Sequence, residues 1–80
     1  MDKSLACAMV RTAFRAGGVL TDDLPLLKAH LPPATYRERA IAIAAAVHAI
    51  HEALLVPALA AFPELDAEIE ASIEKYGRFI

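Results

Sequence analysis

Eighty residues, 58% of them hydrophobic, with a net charge of −2 and one cysteine, make one small domain that no internal disulfide can brace. That composition excludes a cysteine-rich zinc fold, and the charge argues against a surface that binds nucleic acid or anionic membrane over its whole extent. A mean hydropathy of +0.43 leaves more apolar side chain than so small a body easily hides, which favours a homo-oligomer.

Residues 3–16 read as a first helix. Asp2 or Ser4 can cap it, and Leu5, Met9, Val10, Ala13 and Phe14 form an apolar stripe. Gly17-Gly18 is the expected stop. Lys3, Arg11 and Arg15 lie off the stripe and are expected in solvent. The lone Cys7 sits among alanines as a small buried hydrophobe. The apolar run 5–10 is too short for an export signal and ends at Arg11, so a cytoplasmic setting is expected.

Residues 22–31 read as a second, short helix, with Thr21-Asp22-Asp23 as its capping cluster and Pro25 tolerated in the first turn. Leu24, Leu27 and Leu31 share one side. Leu26 and His30 share another, and Pro32-Pro33 ends the helix.

The third helix, 35–62, dominates the chain. Thr35 and Glu38 match a capping box, and Pro57 predicts a kink because it lacks an N–H and clashes with the carbonyl of Ala53. Between Ala40 and Phe62 the only polar residues are His48, His51 and Glu52. Twenty-odd apolar residues are enough to span a bilayer. An ionisable side chain at mid-depth costs ~2.5–3.5 kcal/mol, however, so burial in protein is the expectation and no membrane partner is assigned.

At 100° per residue this helix has three sides. Tyr36, Ile43, Val47, Ile50 and Leu54 form a stripe of large residues suited to a core. Ala42, Ala46, Ala49 and Ala53, continued by Ala60, form a narrow seam spaced four, three and four, which allows a partner helix to approach closely. Ile41, Ala44, His48, Leu55 and Leu59 lie on the third side. Twenty-eight residues make a rod of ~42 Å, whereas a compact 80-residue domain is ~30 Å across. The rod must kink, overhang or be covered by another subunit.

Residues 63–76 read as a fourth helix. Pro63 opens it, acidic residues crowd its first turns, Leu65, Ile69, Ile73 and Tyr76 form its apolar stripe, and Gly77 stops it. Phe79-Ile80 is expected to fold back over its end.

His48, His51 and Glu52 form the one polar constellation with chemical potential. His48 pairs with Glu52 at i, i+4 and with His51 at i, i+3. A two-fold dimer would duplicate them, which makes a metal site of two His and two Glu a competing reading. Two metal patterns fail here: Leu55 stands where HExxH needs its second histidine, and no Glu-x-x-His occurs. No serine or cysteine is paired with a base and no phosphate loop exists, so no catalytic residue and no cofactor is assigned. A helix-turn-helix DNA binder is a further reading, carried by Arg11, Arg15, Lys28, Arg37 and Arg39. It is weakened by the absence of asparagine and glutamine. The sequence therefore predicts a single all-α domain, residues 1–80, built as a dimeric four-helix bundle. Its expected role is a non-enzymatic interaction or regulatory module whose main partner is itself.

Overall fold

Asp2 starts the N-terminal helix: its Oδ1 accepts the Leu5 N–H at 2.8 Å, and Lys3–Thr21 follow as 19 helical residues. The computed structural model describes Met1–Ile80, and its regular structure is entirely helical, with no strand. Gly17-Gly18 does not stop this helix as expected; both glycines lie inside it. The end comes at Thr21, whose hydroxyl donates to the Gly17 and Gly18 carbonyls at 3.0 and 3.1 Å. That takes up two acceptors the last turn would otherwise leave open. Most of the expected stripe is covered: Val10 and Ala13 are buried and Met9 and Phe14 half-buried. Leu5 is the exception at 52% exposed, and Ala6 is buried beside the stripe instead.

Leu24–His30 makes only two turns, and the Asp23 side chain accepts no capping hydrogen bond. Leu24, Leu27 and Leu31 are half-buried while Leu26 and His30 are exposed, the division expected from their spacing. This short segment packs against the first part of the central helix.

The central helix runs Pro33–Ala61, 29 residues. It begins before Thr35, and no side chain caps it. The capping box is therefore not formed. Pro33 takes the first helical position, where its fixed φ and missing N–H cost nothing, and Thr35 is left inside the first turn. Near Pro57 the helix carries a π turn at His51–Leu55, in which the Val56 N–H reaches back to the His51 carbonyl. An inserted wide turn is one of the few ways a helix accommodates an internal proline, so the irregularity falls just before Pro57.

After Phe62 the chain turns at Pro63-Glu64, and the C-terminal helix occupies Leu65–Tyr76, starting later than expected. Gly77 ends it in the left-handed conformation (φ 75°), its N–H donating to the Ile73 carbonyl at 2.8 Å. Leu65 and Ile69 are buried, but Ile73 and Tyr76 are exposed, so only half of the expected stripe is covered.

The structure thus has three long helices and one two-turn segment, and a four-membered bundle is not formed. The buried core is small: Ala6, Val10, Ala58, Leu65 and Ile69, edged by Cys7, Phe14, Leu55, Leu59 and Phe79. It lies where the N-terminal helix, the end of the central helix and the C-terminal helix meet. Lys3 braces this junction, with its ammonium 2.9 Å from Glu68 and 3.6 Å from Glu64, rather than standing free in solvent. The molecule measures 45 × 25 × 15 Å with a radius of gyration of 14.9 Å. A compact chain of this length has ~12 Å.

Candidate interaction surface on the central helix

The large-residue stripe of the central helix faces its own chain. Tyr36, Ile43, Val47, Ile50 and Leu54 are each half-buried, against the N-terminal helix and the short segment. The opposite side has no cover. Ala42, Ala46, Ala49 and Ala53 are exposed, and so are Ile41, Ala45 and Val56. The most apolar 18-residue window of this helix has a mean hydropathy of 1.7, and none of it is buried. Burial inside the chain, the expectation from sequence, is not what the fold provides. By length and composition the helix is also long and apolar enough to cross a bilayer.

The spacing of that seam is symmetric along the sequence. Residues 42, 46, 49 and 53 are spaced symmetrically about the point between 47 and 48. An identical helix laid antiparallel would place its Ala53 opposite Ala42 and its Ala49 opposite Ala46. Side chains this small let two axes come to about 8 Å. A separate shallow groove of about 890 Å³ lies on another side of the first turns, past Tyr36, Arg37, Ala40, Ile41 and Ala44, and includes none of the seam alanines.

The polar cluster divides. His48 and Glu52 stay on the outer side, Nε2 to Oε1 3.5 Å, with their side chains 75% and 60% exposed. An exposed helical pair of this kind contributes about 0.3–0.5 kcal/mol at best. His51 turns the other way. Its ring meets Phe14 edge to face, centroids 6.4 Å apart and planes at 78°, beside the backbone of Gly17. No three His, Cys, Asp or Glu side chains gather into a set able to hold a metal. Within one chain, His48 and Glu52 lie together and His51 faces Phe14 instead.

No known protein family, curated protein or solved structure matches the chain.

Sequence spacing alone did not reveal the Phe14–His51 contact. His51 is three residues from His48 and reads as its neighbour, yet that 300° step carries it to the edge of the helix that meets the N-terminal helix. The accompanying signal is Gly17, which lacks the side chain that would otherwise stand at this crossing.

Proposed function

We propose that this protein is a non-enzymatic, self-associating helical module whose working surface is the outer face of the central helix, covered by a second copy of the chain. One observation carries the reading. The accessible surface is 5557 Å², whereas a folded 8.6 kDa chain typically shows about 4,700 Å². The excess, roughly 900 Å², matches the ~800 Å² that each partner contributes to a standard interface. The uncovered alanine seam, with Ile41, Ala45 and Val56 exposed on the same helix, offers apolar area for such an interface, and the spacing of the seam suits a two-fold pair.

Glu52 lies on the side of the helix between His48 and the seam and would sit nearer the polar rim of such an interface, where charge sets register more than affinity. An interaction or regulatory role follows from what pairing would expose or hide.

Light scattering across micromolar concentrations tests the reading. A mass of twice 8.6 kDa is expected for the unaltered chain, and a single-chain mass for Ala46→Glu, which would bury an unpaired carboxylate in the seam. A single-chain mass for the unaltered protein overturns it. Binding of that monomer to lipid vesicles would instead assign the face to a membrane.

A further inference from the structure

We propose that the cleft between the N-terminal helix and the C-terminal tail binds a small organic dianion, a phosphate monoester carried on a compact apolar or aromatic body. The cleft has a volume of about 450 Å³ and is lined by Arg11, Phe14, Arg15, Arg78, Phe79 and Ile80. That falls in the ~300–1,000 Å³ range of small-molecule sites. No residue of the central helix lines it, so it stands apart from the self-association surface.

Charge is the first argument. The chain carries eight Lys and Arg and a net charge of −2. Three of those cations line this one cleft, and no aspartate or glutamate does. None of the three guanidinium groups has a carboxylate within 4.0 Å; the ion pairs of the fold are made by Lys3 and His48. Three cations lining one cleft give it a positive potential that attracts an oxyanion. The planar guanidinium fork matches carboxylate and phosphate oxygens, and three such groups favour a charge of −2 over −1.

The second argument is construction. The tail is held in place: Ser72 Oγ donates to the Arg78 carbonyl at 2.8 Å and accepts the Ile80 N–H at 3.0 Å. Gly77, in the left-handed conformation, turns the chain so that this clamp can form. Phe79 packs against the core and receives the Arg11 guanidinium 5.5 Å from its ring centroid, which orients that cation. Phe79 and Phe14, both half-buried, form an apolar wall beside the charges. A ligand that satisfies both parts has an anionic head and a short apolar body.

The test is titration of the ¹⁵N-labelled full chain with phenyl phosphate, with inorganic phosphate and phenol as separate arms. The expected result is saturable shifts of the Arg11, Arg15 and Arg78 side-chain signals and of the Phe79 amide. Phenyl phosphate should bind about tenfold more tightly than inorganic phosphate, and phenol should not bind. Arg15→Gln and Arg78→Gln should each weaken binding about tenfold or more while leaving the unfolding midpoint unchanged. Absence of saturable shifts, shifts spread equally over Lys28, Arg37 and Arg39, or unchanged affinity in Arg15→Gln overturns the site. Equal affinity for inorganic phosphate overturns the apolar body. Binding only to an acidic peptide or to phosphatidic-acid vesicles overturns the small-molecule assignment.

Discussion

The Phe14 and His51 rings meet edge to face, 6.4 Å between centroids and 78° between planes, and this contact joins the N-terminal helix to the central one. It gives two histidines three residues apart different work. His51 belongs to the packing of the chain, and His48 to its surface.

Replacing them should separate those roles. An edge-to-face aromatic pair contributes ~0.5–1.5 kcal/mol beyond the area it buries. His51→Ala should therefore lower stability by about 1 kcal/mol or more in denaturant unfolding. His48→Ala should change it by no more than about 0.5 kcal/mol. Both are measured at one protein concentration, because association shifts apparent stability.

The glycines make opposite predictions. A Cβ at Gly18 would meet nothing within 4 Å, and glycine inside a helix is ~0.8–1.0 kcal/mol worse than alanine. Gly18→Ala should stabilise the protein by about that amount. Gly77 has φ 75°, where an L side chain costs roughly 1–2 kcal/mol, so Gly77→Ala should destabilise it by a similar figure. Thermal melts of the two variants should move in opposite directions.

Ser72 is the clamp on the tail. Ser72→Ala removes both hydrogen bonds to residues 78 and 80, at a cost of about 1 kcal/mol or less for so exposed a site. The sharper readout is local: amide exchange at Ile80 should accelerate, while exchange at Val10 in the core should not.

Lys3 supplies a pH dependence. The hydrogen bond from its ammonium to Glu68, aided by the charges of Glu68 and Glu64, raises its pKa above the usual 10.5. A raised pKa in the folded state means that the contribution is fully present below 10.5 and is lost as pH rises through the folded value. The stability difference between the parent and Lys3→Met should stay constant from neutral pH to about 10, then shrink. A difference that grows above that pH would contradict the assignment.

What the sequence made legible follows from how local each cause is. The all-helical fold, the division of Leu24, Leu27 and Leu31 from Leu26 and His30, and the stop at Gly77 depend on residues within a few turns of one another. The run of the N-terminal helix through Gly17-Gly18 does not. Nothing near those glycines replaces a stop signal; the termination comes from Thr21, and helix–helix packing around Gly17 holds the segment helical. At the start of the central helix two local signals compete, and Pro33 prevails over the Thr35–Glu38 box because it comes first. The arginine cleft escapes sequence reading altogether, since Arg11 and Arg15 meet Arg78 only after the tail folds back. The seam of Ala42, Ala46, Ala49 and Ala53 was legible as a pattern, and the fold adds that it is uncovered.

The account turns on whether two copies meet along that seam. At an axis separation of about 8 Å, with Cα atoms about 2.3 Å from each axis, facing residues come within reach of a disulfide. In a Cys7→Ser background, an equimolar mixture of Ala42→Cys and Ala53→Cys chains should oxidise to a mixed disulfide in high yield, and Ala42→Cys alone should not cross-link. Failure of the mixture to cross-link, or equal cross-linking by Ala42→Cys alone, would contradict antiparallel pairing along the seam.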